Sequence, residues 1–176
     1  MKGQKPNIYL IGMMGTGKTS VGKLLAQRLS MEFLDSDCSI ERKIGLEIKQ
    51  IFQAEGESKF RALEDEFITS GHPMDGCIVS CGGGLVAIDG MMAKLKSKGI
   101  VVCLWANSET IFDRVKNDRS RPLLQVKNPL LEIQRIINRR QEIYLKANLV
   151  IDTDTLKENE VVDAIINHPG LSTYSA

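Results

Sequence analysis

The sequence predicts an α/β fold in which five parallel strands form a sheet that helices cover on both faces. Short apolar runs alternate with stretches of helical periodicity along the 176 residues. This alternation is typical of parallel sheets, whose strands need long crossover connections. We expect strands at residues 7–11, 33–35, 77–80, 100–105 and 149–152. In such a sheet, ligands bind beyond the carboxyl ends of the strands.

A glycine-rich motif follows the first predicted strand. Residues 12–19 read Gly-Met-Met-Gly-Thr-Gly-Lys-Thr and fit the pattern G-x-x-x-x-G-K-[ST]. Apolar residues then recur at helical spacing from Val21 to Leu29, so strand, loop and helix come in the order of a phosphate-binding loop. In that interpretation Lys18 reaches the β- and γ-phosphates and Thr19 contacts Mg²⁺. The alternative is a glycine-rich turn before an ordinary helix.

Two carboxylates follow the second predicted strand. Asp35, Ser36 and Asp37 lie where that strand ends, near the phosphate-binding loop in a parallel sheet. One carboxylate could hold Mg²⁺ through water while the other accepts a proton from a substrate hydroxyl. The alternative is a solvated turn in which Asp37 caps a helix that starts near Ser39.

Arginines are the third feature, and they suit the binding of phosphates or carboxylates. Arg61 lies in a predicted helix over residues 57–70, and Arg140 in one over residues 130–147. Surface salt bridges are the default explanation of helical arginines. The polar segment 116–129 is predicted to be a mobile flap. The C-terminal half also carries Arg114, Arg119, Arg121 and Arg139.

Composition limits the remaining possibilities. The chain has 23 Lys and Arg against 22 Asp and Glu, a net charge of +1, which gives no global attraction to nucleic acid or to an anionic membrane. Its length suits a single domain, and no signal segment or long apolar run occurs, so we expect a cytoplasmic protein. The four cysteines show neither a C-x-x-C pair nor zinc-type spacing and are expected to be buried, reduced thiols. They are Cys38, Cys77, Cys81 and Cys103.

The ordered set of motifs closely resembles the shikimate kinases over nearly the whole chain. The set comprises G-M-M-G-T-G-K-T at 12–19, D-S-D at 35–37, F-R at 60–61, G-G-G at 82–84, R-P-L-L at 121–124 and R-x-x-x-Y at 140–144. The resemblance implies one P-loop NTPase domain of the nucleoside-monophosphate-kinase type over residues 1–176. It also implies a substrate-binding region over about 39–67 and a lid over about 116–129. The implied reaction is phosphorylation of the 3-hydroxyl of shikimate by ATP, with Mg²⁺, in a monomer.

The same resemblance implies roles for individual residues. Lys18, Asp37 and Arg121 are the implied catalytic residues, with Asp37 as the proton acceptor and Arg121 as the lid arginine. Thr19 and Asp35 match the Mg²⁺ positions, with Ser80 behind them. The implied ATP contacts are Gly12, Gly15, Thr16, Gly17, Lys18, Thr19, Ser20, Arg114 and Arg121, and the implied shikimate contacts are Asp37, Arg61, Gly82, Gly83, Gly84 and Arg140.

Some features depart from the family pattern or leave alternatives. Residues 151–156 differ from the family's second adenine-contacting loop, so adenine contacts there stay open. Arg140, and not Arg139, stands four residues before Tyr144, so Arg139 is expected at the surface. A related sugar-acid kinase, such as a gluconate kinase, and a non-catalytic nucleotide-binding switch are the alternative functions.

Overall fold

A five-stranded, fully parallel sheet forms the centre of the molecule, in the strand order β2-β3-β1-β4-β5. The computed structural model describes residues 5–118 and 125–174. The predicted fold class and all five strands are confirmed, and β2 and β4 each begin one residue earlier than expected. The strands are β1 (Asn7–Ile11), β2 (Glu32–Asp35), β3 (Cys77–Ser80), β4 (Gly99–Trp105) and β5 (Leu149–Asp152).

Helices connect the strands and cover the sheet. The α-helices are α1 (Lys18–Leu29), α2 (Ser36–Ile44), α3 (Ile48–Ser70), α4 (Met91–Lys98), α5 (Ser108–Val115), α6 (Pro129–Tyr144) and α7 (Glu158–Ile166). In the described part of the chain, 3₁₀ helices span Leu85–Ala87 and Pro169–Tyr174.

Both faces of the sheet are apolar, because each must pack against helices. In β1, Tyr9 belongs to a core cluster with side chains of α3 and α4. The neighbouring Ile8 and Leu10 belong to a second cluster with α1 and α7. All three side chains are 0% exposed, as expected for the middle strand of the sheet, from which the glycine-rich loop continues.

Two helices differ from their predicted bounds. The helix predicted over 57–70 is the second part of α3, which bends at Gly56 with φ 80° and ψ 176°. Helix α6 begins one residue earlier than the predicted 130–147, since the Asn128 side chain accepts a hydrogen bond from the Leu131 N–H. It ends earlier as well, because Asn148 Oδ1 accepts from the N–H of Val101 and holds the chain beside β4, where β5 begins.

The cysteines are free thiols, and three of them lie in the core as predicted. Cys77, Cys81 and Cys103 are buried. The expectation of burial is wrong for Cys38, which lies on the solvent side of α2, two residues before the buried Ile40. Within the residues described, the chain has no helix with the length and apolarity needed to cross a membrane.

Candidate active site

The carboxyl ends of β1, β2 and β3 open into a cavity of about 350 Å³. Strand register places Ser80 of β3 beside both Leu10 and Asp35 at this edge. The cavity therefore brings the glycine-rich loop, the two carboxylates after β2 and the start of the glycine triplet together. Its lining residues are Met14, Gly15, Gly17, Lys18, Thr19, Ser20, Asp35, Asp37, Ser80, Cys81, Gly82 and Gly83.

The glycine-rich loop has the backbone conformation that an anion-binding loop requires. Gly15 and Gly17 have positive φ, and Gly17 precedes α1 without a capping side chain, so the first N–H groups of the helix face the cavity. Lys18 Nζ donates to the carbonyls of Gly12 and Met13, both at 2.9 Å. These two bonds hold the lysine ammonium against its own loop.

Two other loop residues have packing roles. Gly12 does not line the cavity; a Cβ there would lie 2.3 Å from the Leu104 carbonyl oxygen, so glycine is needed for the loop to pass β4. Thr16 is buried, and its hydroxyl donates to the Met13 carbonyl at 2.8 Å. The close approach of Gly12 to β4 and the Thr16 hydrogen bond both help to define the shape of the loop.

Asp35 joins β2 to α2 as a helix cap. Its Oδ1 accepts from the N–H groups of Asp37 and Cys38 at 3.1 and 3.2 Å, so α2 begins at Ser36. The alternative interpretation, in which Asp37 caps a helix that starts near Ser39, is therefore wrong. Oδ2 of Asp35 accepts from the Thr19 hydroxyl at 3.5 Å. One oxygen has a structural role, and the other lies beside the loop.

Asp37 points toward the glycine triplet. A Cβ on Gly82 would lie 2.5 Å from its Oδ1, and the Ser36 hydroxyl donates to the same oxygen at 3.4 Å. Burial raises the pKa of Asp37, the charge of Asp35 raises it further, and Lys18 lowers it. A carboxylate whose pKa lies above its ordinary value accepts a proton more readily near neutral pH.

Arg61 of α3 pairs with a buried carboxylate, that of Glu64, which the sequence interpretation missed. Its Nη1 donates at 2.6 Å to Oε2 of Glu64, whose side chain is 1% exposed. The other oxygen of Glu64 has no hydrogen-bond partner within residues 5–118 and 125–174, and it would lie 2.9 Å from a Cβ on Gly82. Burial raises the pKa of Glu64 to about 7, against the lowering effect of Arg61. Glu64 thus lies between Arg61, with which it pairs, and Gly82, which Asp37 also approaches.

Arg140 reaches the triplet from α6. Its Nη1 donates to the Gly83 carbonyl at 2.8 Å, and the Tyr144 hydroxyl donates to the same oxygen at 3.1 Å. Arg61 meets the next residue, since a Cβ on Gly84 would lie 2.6 Å from both of its Nη atoms. The two arginines therefore contact neighbouring residues of one loop. Arg139 is exposed, as expected.

A second cavity of about 520 Å³ lies on the other side of the glycine-rich loop. Arg114 borders it and donates to Thr153 Oγ1 at 3.1 Å, to the Thr153 carbonyl, and to the Gly15 carbonyl at 3.3 Å. The segment after β5 whose adenine contacts stayed open contributes Thr153 and Leu156 to this lining. The remaining lining residues are Gly15, Thr16, Gly17, Ser20, Val21, Lys157, Glu158 and Val161. Arg119 and Arg121 belong to residues 119–124 of the predicted lid, which lie outside the described residues.

The oxygen atoms near Thr19 and Asp35 fit a Mg²⁺ ion of the type that binds with a nucleotide. No cluster of three His, Cys, Asp or Glu side chains suited to a metal occurs in the part of the chain that the structure describes. Mg²⁺ bound with phosphates needs only one or two protein oxygens, because phosphate and water supply the others. The Thr19 hydroxyl and Asp35 Oδ2, 3.5 Å apart, are such a pair.

Comparison with known proteins agrees with this geometry. The family model for shikimate kinase matches residues 14–168. The shikimate kinase of Thermodesulfovibrio yellowstonii is 46% identical over 160 residues, or 91% of this chain and 92% of the relative. The solved shikimate kinase from Acinetobacter baumannii in complex with shikimate has a TM-score of 0.86 at 39% identity, covering 92% of this chain and 91% of that one.

A more distant likeness concerns the fold alone. A gluconokinase from Sinorhizobium meliloti has a TM-score of 0.56 at 15% identity, covering 97% of this chain and 91% of that chain. The shikimate kinase matches, by contrast, are close in sequence and extend over nearly the full length on both sides. The chain therefore belongs to the shikimate kinase family.

Proposed function

We propose that this chain transfers the γ-phosphoryl group of ATP to the 3-hydroxyl of shikimate, with Mg²⁺, and releases shikimate 3-phosphate and ADP. Membership in the family supports the kinase reaction and both substrates. One observation carries the residue assignment: a single cavity joins the phosphate-binding loop to Asp37 and to the glycine triplet that Arg61 and Arg140 contact. Donor and acceptor sites thus share one space.

On the ATP side, Lys18 is the mobile positive charge. It exchanges its carbonyl partners for phosphate oxygens and stabilises the charge that develops on the transferred group. The backbone N–H groups at the start of α1 bind the remaining phosphates. Arg114 and the segment after β5 form the walls of the base pocket, where Leu156 supplies apolar surface.

On the acceptor side, Asp37 orients the hydroxyl and accepts its proton, which its raised pKa favours. Arg61 and Arg140 bind the carboxylate of shikimate, since guanidinium groups match that anion at two points. Glu64 holds Arg61 in place from the buried side.

Thr19 and Asp35 would hold Mg²⁺, Thr19 directly and Asp35 through water, with Ser80 behind them. Held there with the nucleotide, the ion would supply positive charge that offsets the negative charge of the phosphates. For Arg121 we propose contact with the transferring phosphate when the lid closes, on the basis of the R-P-L-L motif alone. Because every group in this scheme comes from one chain, we also propose that the protein acts as a monomer.

An ADP-release assay with shikimate, gluconate or no acceptor tests the reaction. We expect ADP release to depend on shikimate, and phosphorus NMR should show phosphate on the 3-hydroxyl. Phosphate on another hydroxyl, or only inorganic phosphate, would contradict the proposal. A protein that binds ATP but turns over no acceptor would instead be a nucleotide-dependent switch.

Calorimetry with Arg61→Lys and Arg140→Lys tests the acceptor site. An ammonium cannot reproduce the two-point contact, so each change should weaken shikimate binding and leave ATP binding nearly unaltered. Equal losses for both ligands would assign these arginines to helix packing.

A further inference from the structure

The guanidinium of Arg61 is enclosed on three sides. Its Nη1 donates to Glu64, and its terminal edge lies against Gly84. The remaining edge faces Glu57, whose Oε1 accepts from Nε at 3.2 Å and from Nη2 at 2.8 Å. That Nε and Nη2 edge is one of the two at which a guanidinium can bind a carboxylate with parallel hydrogen bonds.

We propose that Glu57 occupies the position on Arg61 that the carboxylate of the acceptor takes, and that acceptor binding displaces it. The proposal rests on the acceptor role of Arg61 given above. Glu57 then acts as a specificity-determining residue, because an acceptor without a carboxylate cannot replace it on Arg61.

Exposure decides which partner of Arg61 leaves. The side chain of Glu57 is 65% exposed, whereas that of Glu64 is 1% exposed. Release of Glu57 moves a carboxylate into water at little cost, but release of Glu64 would leave a buried charge without its partner. The Gly84 edge consists of backbone and cannot withdraw without moving the loop.

The bend in α3 helps Glu57 to leave. Gly56 has non-helical angles, so Glu57 is the first residue of the helical segment that continues to the end of α3. A carboxylate at the start of a helical segment is stabilised by the N–H groups there, with or without Arg61. Glu57 therefore keeps a favourable environment for its charge when its ion pair with Arg61 is broken.

An ordinary i,i+4 ion pair is the simpler explanation of the Glu57 contact, and it makes a different prediction. Such a pair stabilises a helix weakly and has no relation to the acceptor. Competition predicts that removing the charge of Glu57 strengthens binding of a carboxylate acceptor. Because exposed ion pairs contribute little, the gain should be about two- to fivefold.

The test compares Glu57→Gln with Glu55→Gln. Glu55 is 48% exposed, lies on the same helix and pairs with Lys59 at 3.6 Å, so its variant removes the same charge without touching Arg61. The KM and Kd for shikimate, and for its uncharged carboxamide, are measured at saturating ATP. We expect Glu57→Gln to lower the KM and Kd for shikimate two- to fivefold, to leave the carboxamide and kcat unchanged, and to exceed any effect of Glu55→Gln.

Three results would overturn the proposal. A higher KM for shikimate would make Glu57 a support for Arg61, and no change would make it an ordinary surface pair. Equal gains in Glu55→Gln, or equal gains for shikimate and its carboxamide, would show that the effect does not come from freeing Arg61 for a carboxylate. Arg61→Lys separates this failure from that of the acceptor site: if it weakens shikimate binding while Glu57→Gln does not strengthen it, only the displacement proposal is wrong.

Discussion

Replacing Gly84 by alanine should greatly weaken acceptor binding while the protein stays folded. Gly84 has φ −99° and ψ −10°, which alanine adopts without strain. The new Cβ would lie 2.6 Å from both Nη atoms of Arg61, about 0.8 Å short of the 3.4 Å at which ordinary contact begins. The guanidinium must withdraw. Losing a charge-assisted hydrogen bond costs about 1.5–3 kcal/mol, so we expect the KM for shikimate to rise roughly 10- to 150-fold.

Steady-state kinetics and calorimetry with each substrate check this expectation, and thermal unfolding checks the fold. ATP affinity should stay within about twofold, since Gly84 belongs neither to the glycine-rich loop at 12–19 nor to the lining of the second cavity. The same change in an Arg61→Ala background is the matched control, because it should then have little further effect. An unchanged KM, equal losses for ATP and shikimate, or additive effects in the double variant would refute the steric argument.

Four further changes test the site and the stability of the fold. Lys18→Ala should lower kcat about 10²- to 10³-fold with an unchanged melting temperature; turnover within a few-fold of wild type would remove Lys18 from its role. Asp37→Asn should lower kcat about 10²- to 10⁴-fold at nearly constant ATP affinity, and wild-type kcat under saturating substrates would end the assignment of a base. Burial raises the pKa of Glu64 from its ordinary 4.5 to about 7, so the unfolded chain loses this proton at a lower pH than the folded chain. Wild type should therefore lose stability relative to Glu64→Gln as the pH rises from 4.5 to about 7. A stability difference that stays constant over this range in urea unfolding would contradict this. Burial lowers the pKa of His72 below its ordinary 6.5, so the unfolded chain takes up this proton first. Wild type should therefore lose stability relative to His72→Gln as the pH falls through and below 6.5, and parallel unfolding curves would argue against it.

The fold was predictable because its signals are local. Apolar runs, helical periodicity and the glycine-rich motif each lie within a few consecutive residues, and they indicated all five strands. The bend at Gly56 was harder to predict, since a single glycine within a helical pattern is usually tolerated without a bend. The cap at Asp35 was missed because Asp37 is also a common capping residue and the alternative interpretation placed the start of α2 near Ser39.

The site was predictable where a residue belongs to a compact motif. Lys18 and Asp37 lie in such motifs and line one cavity in the structure. Glu64 was missed although a signal existed: it lies on the apolar side of α3 between Phe60 and Phe67, where an acidic side chain needs a partner. The wall that Thr153 contributes to the second cavity depends on the packing of β4 beside β5, which no local pattern encodes.

The hydrogen bonds from Lys18 to its own loop have a consequence for nucleotide binding. They tie the lysine ammonium to the carbonyls of Gly12 and Met13, so the loop and its charged side chain form one ordered unit. If Lys18 exchanges these carbonyls for phosphate oxygens, as proposed above, ATP binding orders little new chain here. The entropic cost of binding at this loop should then be small.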